Sequence, residues 1–184
     1  MKKNTLLTAL FIYCIQLTYS QSGQLDPSFG NNGIVKSDMG AHFNYNNTGR
    51  QVLIHPDGSI YILLNSQTFI TKRLPDGSID ASYGVNGYSR ALSFNDAYAA
   101  LQTDSKMVIA GSANDNFFYI ARLNANGKPD STFGDNGMQT TAFAGRSFAT
   151  SVAIQSDGKI VVAGYTTNAN NDAYFAVARY NSNG

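Results

Sequence analysis

An all-β fold of short antiparallel strands is what this sequence predicts, on three observations. One turn motif is written three times at a near-constant spacing. Paired apolar runs flank Asp-Gly turns, the pattern of β-hairpins. All 12 acidic residues are Asp, with no Glu, beside 17 Gly, 11 Tyr and 11 Phe. Asp and Gly favour tight turns, and aromatics favour strands.

The turn motif reads GQLDPSFGNNG from Gly23, GSIDASYGVNG from Gly77 and GKPDSTFGDNG from Gly127. Its copies start 54 and 50 residues apart, and Gly184 stands 57 residues after the third start. A period near fifty marks a repeat architecture. Asp26, Asp80 and Asp130 can each fold a carboxylate back onto nearby backbone N–H groups, as can the hydroxyls of Ser28, Ser82 and Thr132. Gly30, Gly84 and Gly134 suit positive φ, as do Gly33, Gly87 and Gly137. Phe29, Tyr83 and Phe133 give each turn a large apolar anchor. The Asp/Ser/Asn cluster also invites a calcium reading. The first two copies offer one carboxylate each, whereas calcium takes roughly six to eight oxygens, so the structural reading is preferred.

Each motif is followed by a short segment of strand character: 34–35, 88–92 and 138–143. Next come QVLIHPDGSIYILLN from Gln51, AALQTDSKMVIAGS from Ala99 and SVAIQSDGKIVVAGY from Ser151, aligned on Asp57, Asp104 and Asp157. Asp57-Gly58 and Asp157-Gly158 suit two-residue hairpins with both residues at positive φ. Asp104-Ser105 breaks that pattern, so its turn is expected to be strained or of another type. The second runs, such as IVVAG from Ile160, are apolar almost throughout, as for a strand buried on both faces. A last strand follows, TFITKRL, FFYIARL or AYFAVARY, carrying Arg73, Arg122 or Arg179 near its end. These arginines are expected to be solvated strand ends rather than partners of the motif aspartates. The connection from Arg73 to Gly77 reads one residue shorter than that from Arg122 to Gly127.

Four strands per unit at this period is the pattern of β-propeller blades. The expected fold is about three four-stranded antiparallel blades in an open arc, over 33–77, 87–127 and 137–184, as the N-terminal part of a larger propeller. LDPSFGNNG, IDASYGVNG and PDSTFGDNG, with SDGKIVVAG and FAVARYNSNG, resemble the delta-60 repeat family of bacterial β-propeller-like proteins. The resemblance covers about Leu25 to Gly184. Departures are Pro129 in place of Leu25 and Ile79, Ser105 in its hairpin, and the short turn before Gly77. The resemblance implies a secreted or surface propeller and supplies no catalytic residue to carry over.

Lys2 and Lys3, the apolar stretch from Leu6 to Leu17, and small Thr18 and Ser20 form a signal-peptide pattern over 1–20. Cleavage near Ser20 would leave 21–184 outside the cytoplasm, with no stable membrane span. Cys14 is removed with the signal, so the mature chain has no cysteine and no disulfide. Tyr13 before Cys14 is too large for a lipoprotein signal. Asn46-Asn47-Thr48 matches a glycosylation sequon, read as chance. Formal net charge is +1 for the whole chain, and no basic stripe appears, so nucleic acid is not an expected partner.

The sequence contains no nucleophile elbow, phosphate loop or dinucleotide fingerprint. His55 falls where the other repeats have Gln102 and Gln155, so an imidazole there is not required, and His42 lies in a variable loop. No cofactor, metal site or catalytic residue is assigned. Asp96, Asp115 and Asp172, which do not repeat, are placed in loops and are the loose candidates for chemistry. The function expected is a secreted or cell-surface, non-catalytic module for binding, adhesion or scaffolding. Its partner would be an extracellular glycan or protein, or further repeats of its own chain. The alternative is the propeller part of a secreted enzyme, a polysaccharide-active one for example, whose active site lies elsewhere.

Overall fold

The computed structural model describes residues 23–37, 48–64, 69–90, 94–113 and 117–184. The signal segment, Cys14, His42, Asn46-Asn47 of the sequon, Asp115 and the ends of three expected strands (Asn65, Thr68 and 91–92) lie outside them. Every regular element among the described residues is a strand. The first sheet holds β1 (Gly49–Ile54), β2 (Ile60–Leu64), β3 (Phe69–Arg73) and β4 (Tyr88–Arg90). The second holds β5 (Asn95–Leu101), β6 (Met107–Ala113), β7 (Phe117–Leu123) and β8 (Met138–Ala142). The third holds β9 (Ser147–Ile154), β10 (Ile160–Thr167) and β11 (Ala173–Tyr180). All neighbours are antiparallel and consecutive, so each sheet is an up-and-down meander.

The strands group one step out of phase with the expected blades. The strand after each turn motif does not open a new sheet. Instead β4 pairs with β3 of the preceding sheet, and β8 with β7. Among the described residues after the first motif, Ile34 makes bridges with Gly30 and Asn31 and no strand forms. The physical reason lies in the turn: Gly84 and Gly134 at positive φ bend the chain so that Tyr88 and Met138 return to Val85 and Asp135 and then run beside the strand just completed. Each motif therefore closes one sheet before the chain crosses to the next.

β6 explains the packing. Met107 and Ile109 face the first sheet and join Tyr61, Leu63, Ile70 and Ala99 in one core. Val108 and Ala110 face the third sheet and join Phe118, Ile120, Ile160, Val162 and Ala176 in another. The continuous apolar run of β6 is buried on both faces because a sheet lies on each side. β10 reads just as apolar, yet only Ile160 and Val162 are fully buried, because its other face has no sheet against it among the described residues. The three sheets stack as an arc that is not closed.

The first strand of each sheet lies against the first strand of the next. Each carries a bulge at the same repeat position, beside Gly49/Gln51, Asn95/Tyr98 and the partners of Ala163/Gly164. Gln51 mimics a strand rung across one junction: its amide donates to the Ala99 carbonyl at 2.9 Å and accepts the Ala99 N–H at 2.8 Å.

Candidate functional site

The repeated turns come first, because their residues are the ones the sequence singles out. Asp26, Asp80 and Asp130 accept the N–H of Ser28, Ser82 and Thr132 at 2.9, 3.1 and 3.1 Å, and their hydroxyls at 2.6, 2.5 and 2.6 Å. The carbonyls of Phe29, Tyr83 and Phe133 then accept from Gly33, Gly87 and Gly137. A second set of bonds leaves the motif. Gly30, Gly84 and Gly134 donate to the carbonyls of Asp76, Asn126 and Asn183, each just before a glycine, Gly77, Gly127 or Gly184. The aromatic ring follows the same path. A Cβ on Gly77 would meet the Phe29 ring at 2.9 Å, and one on Gly127 would meet the Tyr83 ring at 2.9 Å. The motif is thus a clasp between successive turns, and only glycine at the opening position leaves room for the ring.

The aspartates also hold cations. Lys72 Nζ lies 2.9 Å from Asp80, and Arg122 Nε and Lys106 Nζ lie 2.8 and 2.9 Å from Asp130. Arg122 further donates to the Ser182 carbonyl at 2.7 Å and lies over the Phe133 ring. Burial opposes ionisation of Asp130, but the bonds from Thr132, Lys106 and Arg122 together outweigh it and hold the carboxyl far below its ordinary range. Asp80 is lowered by Ser82 and Lys72, and Asp26 by Ser28. These carboxylates are occupied by turn and ion-pair bonds. Among the described residues no three His, Cys or acidic side chains gather as a metal site would require.

Two expectations are corrected here. Arg122 is a paired, buried arginine rather than a solvated strand end. The residue equivalent to it in the first sheet is Lys72, not Arg73. The backbone settles this: Lys72 and Arg122 accept from Asp80 and Asp130, and Leu74 and Asn124 open identical turns closed by Gly77 and Gly127. The connection is not shorter; the arginine sits one residue later. Arg73 pairs with Ile60, where Leu123 pairs with Met107 and Tyr180 with Ile160. A buried cation therefore stands where the other sheets carry an uncharged side chain, Leu123 or Tyr180. Aligning on the turns rather than on the arginines would have revealed it.

Arg73 lines a cleft of about 680 Å³ between the first two turn motifs, with Asn31, Ile34, Val35, Lys36 and Asp76 around it. It is 8% exposed, its Nε has no hydrogen-bond partner among the described residues, and its Nη2 donates to Ser37 Oγ. Asp76 uses one oxygen on the Ser78 N–H and hydroxyl, which lower its pKa.

The hairpin turns also differ from expectation. His55 donates its N–H to Ser59 and accepts from Gly58, and Gln102/Lys106/Ser105 and Gln155/Lys159/Gly158 repeat this. These are three-residue loops, each with a last residue at positive φ, not two-residue turns. Asp57, Asp104 and Asp157 keep negative φ and cap the N–H two residues on. Ser105 adopts the same turn as the glycines, at φ 65. Its hydroxyl lies 2.8 Å from His55 Nε2, and His55 Nδ1 lies 3.0 Å from Asp57. The Ser59 N–H and His55 bring Asp57 down to about 2. The two residues that break the hairpin pattern, His55 and Ser105, thus meet across the first junction.

Asp96 lies within β5, not in a loop, at the bulge with φ 53, and pairs with Arg50 at 2.7 Å. Asp172 closes the turn before β11, accepting from the Asn168 amide at 2.8 Å. Among the described residues their partners are Arg50 for Asp96 and Asn168 for Asp172, not a second carboxylate.

Residues 102–133 and 155–184 match the family model described as a domain of unknown function (DUF5122) beta-propeller. Each matched segment begins in a hairpin turn and runs through the two strands that follow, the first as far as Phe133 and the second as far as Gly184. No curated protein matches the chain. The three meander sheets and this match define the fold as all-β, with three propeller blades in an arc that is not closed.

Proposed function

We propose that this chain is an exported, non-catalytic β-propeller repeat module, of the delta-60 type, that binds or scaffolds outside the cell or at its surface. The observation that carries the reading is where the repeated polar groups go. The aspartates, hydroxyls and glycines of the turns are taken up in holding one turn to the next, which leaves non-repeating surface residues to meet a partner. Export rests on the basic, apolar and small-residue order of 1–20. Glycan and protein arrays probed with the secreted chain test the reading. Selective capture of one glycan or protein class is expected, and a chain that captures none would leave only the scaffold role.

A second reading, that of a secreted hydrolase, is favoured by one observation. Ser105, His55 and Asp57 stand in the order nucleophile, base and orienting carboxylate. In such a reaction Ser105 Oγ would attack an ester carbonyl, His55 would take its proton and return it to the leaving alcohol, and water would release the acyl group. A fluorophosphonate probe decides between the two readings. Ser105 is expected to stay unlabelled, and labelling lost in His55→Gln would make the chain an enzyme.

A further inference from the structure

We propose that the Arg73 cleft binds an acidic sugar, a hexuronate unit of an extracellular polysaccharide. This rests on the reading of the chain as a binding module and names its ligand class.

The argument begins with an unexplained charge. The equivalent cations near the ends of β3 and β7 both have structural roles, since Lys72 holds Asp80 and Arg122 holds Asp130. Arg73 holds neither motif aspartate. Among the described residues no carboxylate lies within 4.0 Å of it, and its one hydrogen-bond partner is the neutral Ser37 hydroxyl. The equivalent residues Leu123 and Tyr180 show that the fold accepts an uncharged side chain there, and Leu123 that it accepts an apolar one. Among the described residues the guanidinium is thus buried without an anion, an arrangement that is unfavourable and that a bound anion would relieve. A carboxylate matches its planar, bidentate donor geometry.

The surrounding groups narrow the anion. Lys36 adds a second positive charge on the same wall. Asp76 is an acceptor, unsuited to a compact anion such as phosphate but suited to hydroxyl donors. Asn31 can donate and accept, and Ile34 and Val35 offer apolar surface to the C–H face of a ring. A ligand with one carboxylate, several hydroxyls and an apolar face is a uronic acid. The cleft volume suits one or two such units.

The test is titration calorimetry of the full mature chain with trigalacturonate, with neutral galactotriose and inorganic phosphate as controls. Trigalacturonate should bind, more weakly as salt rises, and both controls should bind at least tenfold more weakly. Arg73→Leu, which installs the second sheet's own residue, should abolish binding while leaving the melting temperature unchanged or higher. Binding that survives Arg73→Leu, or phosphate binding as tight as trigalacturonate, would overturn the proposal. So would a large fall in melting temperature with no ligand bound by the parent chain, which would make Arg73 structural. If the arrays capture the chain on neutral glycans or proteins alone, the binding reading stands and this inference fails; if nothing is captured, both fail.

Discussion

Asp130 concentrates more interactions than any other acid of the repeated turns. Its side chain is 4% exposed and that of Arg122 9%, and Lys106 and Thr132 complete its shell. Removing the charge leaves Arg122 buried without its partner, the case in which breaking an ion pair is most costly. Asp130→Asn should cost about 3 kcal/mol in urea unfolding at neutral pH. Asp80→Asn should cost less, about 1 kcal/mol, because Lys72 and Asp80 are more accessible and better screened. The folded pKa of Asp130 lies below its ordinary value of 3.8, so its contribution is present above about pH 4 and lost as pH falls toward the folded value. Acid unfolding profiles should therefore show a shallower loss below pH 4 in Asp130→Asn, and an unchanged slope would assign the acid sensitivity elsewhere. His55→Gln is a milder change. A glutamine amide fills this position in the other repeats and can still reach Ser105, so about 0.5 kcal/mol or less is expected. A loss above about 2 kcal/mol would make the imidazole itself necessary.

The element that builds the array is the turn clasp, and one of its three copies carries a flaw. Phe133 and Tyr83 are both fully buried, but the Tyr83 hydroxyl has no hydrogen-bond partner among the described residues and its pKa is raised by burial. Phe29 and Phe133 occupy the same position in the other copies without a hydroxyl. Tyr83→Phe should therefore raise stability by about 1 kcal/mol, since it removes an unsatisfied buried group and no packing. A loss on thermal melting would show that the hydroxyl has a partner. Gly84→Ala is the opposite case. Its φ is 59 and a Cβ would lie 2.0 Å from the Tyr88 carbonyl oxygen, so a loss well above about 1 kcal/mol is expected. This element also marks how far the sequence could be read. The recurrence of Gly, Asp, aromatic and Gly revealed the turn, because local bonding explains each residue. The partner of the following strand was not legible. Tyr88 and Met138 return to the sheet just finished, and that choice depends on backbone direction through three residues at positive φ. The Arg73 cleft was hidden for a related reason: a shift of one residue in a strand end changes which side chain is buried, and arginines at both places made the wrong alignment attractive.

At the scale of the molecule, the described residues cover the middle sheet on both faces and the end sheets on one. The open faces carry Val52 and Ile54 on the first sheet, and Phe175 and Val177 on the third. Phe175 is 89% exposed, while its neighbour Ala176 is buried against the second sheet, so β11 turns Ala173, Phe175 and Val177 outward in one row that ends at Arg179. β11 is also the end of its sheet order, with β10 as its one strand partner among the described residues. An apolar face beside an unpaired edge favours association with another copy. Closed propellers avoid this by setting every sheet against two neighbours, which takes at least about four blades. Residues 21–184 alone should therefore self-associate on concentration, seen as light scattering that rises during a thermal melt. Phe175→Lys with Val177→Lys should suppress that scattering. The double change should leave the melting midpoint near that of the parent at low concentration, because both side chains are largely exposed and neither contributes to the core between the second and third sheets. If the parent chain is a monodisperse monomer that melts cooperatively, three stacked sheets are sufficient and the exposed row of β11 carries no drive to associate. If the double variant scatters as strongly as the parent, association runs through another surface, and the face of β1 bearing Val52 and Ile54 becomes the one to change next.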